Sequence, residues 1–177
     1  MEKINAVITG IGGYVPSYIL NNEELSRMVD TNDEWITTRV GIKERRILTE
    51  EGLGSGYLAR KAAKQLVRKT GVDVNTIDCV IVATTTPDYR FPSDASIVIG
   101  KLGMKNAHGF DVSCACCGFL YTVDMASAFI QSGRYKKVMV IAAEKMSSMV
   151  DYQDRQTCVL FGDGAAAVLM EASTEEG

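Results

Sequence analysis

Short apolar runs alternate along the chain with segments in which apolar residues recur every three or four positions. Ile4 to Ile8 reads as a first strand. The glycines that follow, Gly10-Ile-Gly-Gly13, begin like a dinucleotide-binding fingerprint, but Val15 stands where the third glycine belongs and no helix opens there. A tight turn after the strand is the better reading. Two short helices are expected next. Asn21 to Asp30 has an Asn cap with Glu24 three residues on, and Thr31-Asn-Asp-Glu34 repeats the device with a Thr cap. The second helix places Trp35 and Arg39 on one face, which these residues alone favour reading as packing beside a solvated charge.

Ser55 to Thr70 is amphipathic. Leu58, Ala62, Ala63, Leu66 and Val67 form its apolar face, and Arg60, Lys61, Lys64, Arg68 and Lys69 its wet one. Strands are predicted at Asp78 to Thr84, Phe110 to Val112, Lys137 to Ala143 and Ala165 to Glu171, the last preceded by a Gly162-Asp-Gly164 turn. Helices are predicted at Pro92 to Leu102, stopped by Gly103, and at Cys116 to Ser132, stopped by Gly133. This alternation implies an α/β domain, residues 1–177, with helices covering a largely parallel sheet. The last two strands, joined without a long helix, are expected to add an antiparallel edge.

With 46% apolar and 23% charged residues, the 177-residue chain can build a real core. A net charge of −3 gives no basic footprint for nucleic acid. The longest apolar runs, such as Val138 to Ala143, fall far short of a membrane span. The opening residues lack the pattern of a secretory leader, so a cytoplasmic protein is expected.

The chemistry is concentrated in GFDVSCACCGF, residues 109–119. Of the five cysteines, Cys79 and Cys158 lie in apolar runs and read as core. Cys114, Cys116 and Cys117 are crowded together. A zinc site wants about four ligands in separated pairs, and His108 is the sole histidine, so no metal is expected. A disulfide within so short a span would be strained. The helix that starts at Cys116 carries one charge, Asp124, and is therefore expected to be buried with its N-terminus enclosed beyond the end of the strand. Unpaired N–H groups and the helix dipole would stabilise a thiolate there. Gly118 would permit close approach of substrate or backbone. On these grounds a nucleophilic cysteine and a buried structural cysteine both remain open.

In combination, a set of motifs resembles the N-terminal half of the β-ketoacyl-acyl-carrier-protein synthase III family. They are Gly12 to Pro16, Asp30-Thr-Asn-Asp-Glu-Trp-Ile36, Thr38 to Ile42, Ala83-Thr-Thr-Thr86, Phe91-Pro-Ser93, Phe110-Asp-Val112 with Cys116-Cys-Gly-Phe119, Asp154-Arg155, and Phe161-Gly-Asp-Gly-Ala165. The resemblance implies a thiolase-like half: three layers, α/β/α, with a mixed five-stranded sheet and a buried central helix starting at the nucleophile. It implies Cys116 as that nucleophile, with Cys117 in a small-residue slot and Cys114 where the family commonly has Ala. An acyl group would pass from acyl-CoA, acetyl-CoA above all, to Cys116. Malonyl-acyl carrier protein would then lose carbon dioxide, and its carbanion would attack the thioester, with the Cys116 backbone N–H as one oxyanion donor.

By the same resemblance Trp35 stacks on adenine, Arg39 and Arg155 are cations near the nucleotide end, and Thr31 lies at that entrance; the Trp35–Arg39 face now reads as binding. Phe91 would close the acyl pocket of a partner subunit, which implies a homodimer. Thr85, Met146 and Phe161 would border the acyl channel. No cofactor is implied, acyl-CoA being a substrate. The family's His and Asn belong to a second half, so residues 1–177 are expected to be inactive alone and to self-associate through the face that half would cover. Two alternatives keep the fold: a related acyl-CoA-dependent ketosynthase of secondary metabolism, and a non-catalytic acyl-binding or assembly subunit.

Overall fold

The computed structural model describes residues 4–175; the outermost residues of the 1–177 domain reading lie outside them. Seven strands form: β1 (Asn5–Tyr14), β2 (Tyr18–Asn21), β3 (Glu44–Ile47), β4 (Cys79–Ala83), β5 (His108–Val112), β6 (Lys137–Lys145) and β7 (Asp163–Ser173). The helices are α1 (Asn22–Leu25), α2 (Asp33–Val40), α3 (Ser55–Thr70), α4 (Asp94–Leu102) and α5 (Gly118–Gln131).

Five strands make one mixed sheet in the order β1-β7-β6-β4-β5. β5, β4 and β6 are parallel, and β7 runs antiparallel between β6 and β1. The antiparallel strand expected at an edge is therefore internal: β1 returns to pair along its far side and becomes the edge. The connection from β6 to β7 has only short turns, so β7 must reverse direction beside β6.

Burial explains why the central strands read as continuous apolar runs. On β4, β6 and β7 alternate residues serve two cores. Val80, Val82, Met139, Ile141, Ala167 and Leu169 pack with the α3 and α4 layer. Cys79, Ile81, Val138, Val140, Val168 and Met170 pack with α5. The three layers are thus α3/α4, sheet, and α5.

Three expectations change. The glycines at 10–13 make no turn; they continue β1. A Cβ on Gly12 would lie 2.5 Å from both the Ala62 carbonyl oxygen and the Leu66 nitrogen, so the missing side chain lets α3 rest on the strand backbone to backbone. Gly164 likewise belongs to β7, which begins at Asp163. The excursion between β1 and α3 contains an unexpected two-stranded antiparallel sheet, β2 with β3. The helix opened by Asn21 spans four residues only, although its predicted cap forms, the Asn21 side chain accepting from the Glu24 N–H.

The enclosed α5 is also corrected. Gly118, Thr122, Ala126 and Ile130 form a single buried stripe against the sheet. The opposite side carries Leu120 at 66% and Tyr121 at 52% exposure. No described element covers that side, so the helix is central in sequence composition but half-covered within residues 4–175.

Candidate functional site

The parallel strands β4, β5 and β6 end at one edge of the sheet, and the register ties Ala83 to Val112 on one side and to Ala142 on the other. β7 begins at the same edge, Asp163 pairing with Lys145. The connections at this edge carry Thr85 and Phe91 after β4, Cys116 after β5, Met146 after β6, and Phe161 before β7. Sites in open α/β sheets form in this position because the strand ends deliver side chains from several connections to one place.

Cys116 lies in a short 3-10 turn, Ala115–Cys117, that leads directly into α5. Ala115 takes a left-handed backbone with φ of 47°, a conformation that costs a residue with a Cβ roughly 1 kcal/mol or more. Strand β5 must turn sharply there to enter the helix. Cys116 and Cys117 are exposed and Cys114 is partly covered; all are free thiols. A Cβ on Gly118 would stand 3.0 Å from the Ala83 Cβ, so this glycine lets the start of α5 close onto the end of β4. Cys79 and Cys158 are buried as expected, and burial pushes the Cys79 thiol up to about 11, which leaves it inert. Among the described residues no group of three or more Cys, His, Asp or Glu could hold a metal ion. His108 opens β5 at the opposite end of the strand from Cys116, its Nε2 3.0 Å from the Tyr135 hydroxyl.

A second cluster forms where the β2–β3 excursion meets residues 150–160. The cap of α2 is Asn32, not Thr31: its side chain accepts from the Trp35 N–H at 2.8 Å. Both residue types cap helices, and the chain enters extended at Asn32, which leaves Thr31 one residue outside. Thr31 Oγ1 is buried with no hydrogen-bond partner, a polar atom still to be satisfied. The Arg39 guanidinium carbon stands 4.2 Å from the Trp35 ring centroid and that of Arg155 5.0 Å. Arg155 also donates to the Asp30 carbonyl at 3.2 Å. Arg155, more than a hundred residues on, thus meets Trp35 and Arg39, with Thr31 next to the Asp30 that Arg155 contacts.

Trp35 packs against a small core of Leu20, Leu25, Ile36, Ile47, Cys158 and Val159, with Val150 and Tyr152 at its border. Residues 146–161 therefore link the Trp35 cluster to the strand edge that carries Cys116.

Two residues that hold this arrangement escaped sequence reading. Arg45 is 4% exposed; its Nε donates to the Val159 carbonyl at 2.9 Å and its Nη1 to Asn22 Oδ1 at 2.7 Å. Burial pulls its pKa down. Asp163 accepts from the Leu48 N–H at 2.8 Å, the Ser147 N–H at 2.9 Å and the Ser147 hydroxyl at 2.6 Å, joining three connections. Arg45 sits in the charged run Lys43-Glu-Arg-Arg46, which gives no sign that one of the four is buried. Asp163 was within a motif but read as part of a turn.

Residues 110–177 match the family described as 3-oxoacyl-[acyl-carrier-protein (ACP)] synthase III. β-Ketoacyl-[acyl-carrier-protein] synthase III 2 of Bacteroides thetaiotaomicron is 69% identical over 176 residues, covering 99% of this chain and 52% of the relative. Over nearly its whole length the chain is similar to β-ketoacyl-[acyl-carrier-protein] synthase III enzymes. It spans about half the length of the curated relatives it matches. The synthase III of Phocaeicola vulgatus is similarly close, 68% identical over 99% of this chain and 53% of its own. The crystal structure of 3-oxoacyl-[acyl-carrier-protein] synthase III from Aquifex aeolicus superposes with a TM-score of 0.92 at 50% identity, over 96% of this chain and 55% of that one. The priming β-ketosynthase of the R1128 polyketide pathway reaches a TM-score of 0.94 at 35% identity, over 99% of this chain and 52% of that one. The three-layer architecture with its mixed five-stranded sheet is the thiolase-like half expected of this family.

Proposed function

We propose that this synthase III chain supplies the nucleophile and the CoA entrance of an initiating condensing enzyme of fatty acid synthesis. The observation that carries the reading is the placement of Cys116. It is exposed at the carboxyl edge of three parallel strands, at the start of α5, with the Trp35, Arg39 and Arg155 cluster joined to the same edge through residues 146–161.

In this reading the adenine of acyl-CoA, with acetyl-CoA the expected primer, stacks on Trp35. Arg39 and Arg155 face its phosphates, and Thr31 Oγ1 gains the partner it lacks. Cys116 Sγ attacks the acyl carbonyl, a new thioester forms, and the CoA thiol leaves. Cys116 N–H donates to the oxyanion. Malonyl-acyl carrier protein then releases carbon dioxide, and the carbanion so formed attacks the Cys116 thioester to give 3-ketoacyl-acyl carrier protein. The His and Asn that assist this second step are assigned to a complementary half. His108, engaged with Tyr135 at the wrong end of β5, has neither their place nor their access. Thr85, Met146 and Phe161 border the acyl channel. Phe91 is 89% exposed, as a side chain that inserts into a second subunit of a homodimer would be in one chain. No cofactor takes part, since CoA is a substrate. The reading places the reaction in the cytoplasm; among the described residues no helix is long and apolar enough to cross a membrane.

A polyketide-priming role shares the fold, and the TM-scores do not separate the two; the higher identities are to enzymes named for the fatty-acid reaction. The test is intact-mass analysis of a full-length enzyme carrying these residues after exposure to acetyl-CoA. An acetyl mass gain is expected to survive Cys114→Ala and Cys117→Ala and to vanish in Cys116→Ala. Equal labelling of all three variants would reject the assignment. A panel of acetyl-, propionyl- and longer acyl-CoA primers then separates the two roles.

A further inference from the structure

The connection that carries Thr85 and Phe91, residues 84–93, is held at its base by a line of buried oxygens that the condensation chemistry does not use. Ser55 and Asp94 are both fully buried. Ser55 Oγ lies 2.6 Å from the Thr86 carbonyl oxygen and 2.5 Å from Asp94 Oδ2, with Asp88 Oδ1 at 3.4 Å. Ser55 has one hydroxyl proton, and the Thr86 carbonyl can only accept. When Ser55 donates to Thr86, the contact with Asp94 is a hydrogen bond only if Asp94 brings the proton. The other carboxyl oxygen, Asp94 Oδ1, accepts from the Asp88 N–H at 3.2 Å. Thr86 is fixed from its other side too, its hydroxyl donating to Glu144 Oε2 at 2.7 Å and accepting from the Lys145 N–H at 2.9 Å.

We propose that Asp94 is a positioning residue whose proton, shared along the line Asp94–Ser55–Thr86, sets the conformation of the 84–93 connection. With Asp94 protonated, Oδ2–H donates to Ser55 Oγ, Ser55 donates to the Thr86 carbonyl, and every group is satisfied. With Asp94 ionised, the proton leaves to solvent, the Ser55 hydroxyl turns to the carboxylate, and the Thr86 carbonyl loses its donor. Only O–H bonds change. The half-buried Thr86 carbonyl, left without its donor, must find another, and the connection shifts to supply one.

The surroundings put this change within reach of ordinary pH. Burial foremost, then the charges of Asp88 and Asp111, raise the Asp94 carboxyl to about 6, against the bonds from Ser55 and the Asp88 N–H, which lower it. Asp111 faces it from β5, accepting from the Asp94 and Ala95 N–H groups at 2.7 and 2.9 Å. Glu144 and Lys145 face it from β6 through Thr86. Arg60 of α3 and Lys101 of α4 line the cleft of about 480 Å³ that opens beside Asp88.

The consequence for the acyl pocket rests on the condensing-enzyme reading; the proton line does not, and its test needs no catalysis. In the 177-residue chain, NMR follows the Asp94 carboxyl carbon and the amides of Thr86, Asp88 and Tyr89 against pH. The carboxyl is expected to titrate near 6, and the amides to shift with the same midpoint. Asp94→Asn, whose side-chain N–H replaces the acid proton toward Ser55, should hold the amides at their low-pH positions throughout. Ser55→Ala should leave Asp94 titrating while the Thr86 amide no longer follows it. Loop amides that still titrate in Asp94→Asn would overturn the proposal by pointing to Asp88 or Asp111. So would an Asp94 that titrates near the ordinary value of about 4 with an unmoved loop.

Discussion

Arg45 shows how one buried side chain can hold the Trp35 cluster together without being part of it. Its guanidinium is buried and bonded to a backbone carbonyl and an amide oxygen, which holds Val159 and Asn22 and so the two segments that carry Arg155 and Trp35. Arg45→Met would leave both oxygens without their donor. We expect a loss of about 2–3 kcal/mol in urea unfolding. Because the chain has a single tryptophan, the emission of Trp35 should also move to the red as its packing loosens. An unchanged unfolding midpoint would show that water replaces the guanidinium at no cost. At this scale the candidate site was largely legible: Cys116, Trp35, Arg39 and Arg155 were named from motifs, and the structure brings the last three together. Arg45 was hidden because a charged residue in a charged run looks solvated until its neighbours are known. Thr31 was read as the cap where Asn32 serves, because either residue type caps and the choice turns on where the extended backbone ends.

Among the elements, α3 was predicted residue for residue, because its apolar stripe is a local signal; in the structure Gly71, left-handed, caps its end. β1 was cut short because glycines read as a turn when nothing in the strand announces the helix above it. Two glycines put that argument to a test. Gly12→Ala places a methyl against the backbone of α3, which cannot move aside as a side chain could, and should cost about 1–3 kcal/mol. Gly100, inside α4, has open space at its Cβ position, so Gly100→Ala should instead stabilise by about 0.5–1 kcal/mol. Thermal unfolding of the pair should show shifts of opposite sign. A neutral Gly12→Ala would mean that α3 rides more loosely on β1 than its close approach implies.

At the scale of the whole molecule, the apolar outer side of α5 dominates. Leu120, Tyr121 and Met125 are exposed there. Ile11, 62% exposed and flanked by Gly10 and Gly12 facing α3, points to the same side of the sheet. A surface of this kind seeks cover. The 177-residue chain is expected to sediment with a weight that rises with concentration. Leu120→Glu combined with Tyr121→Glu should abolish the rise and leave the melting temperature in place, since neither side chain is in the core. A parent that stays monomeric over the same range would contradict this. Composition had made α5 look enclosed, but composition reports how apolar a helix is and not what lies beside it. Local pattern was enough for the alternation of strands and helices and the two-faced burial of the central strands; the helix expected to start at Cys116 starts at Gly118, with Cys116 in the 3-10 turn before it. Strand order, the β2–β3 pairing, the internal position of β7, the one-sided cover of α5 and the proton line at Ser55 all required the folded chain. Each depends on which distant segments meet, and periodicity reaches only as far as a residue's neighbours in sequence.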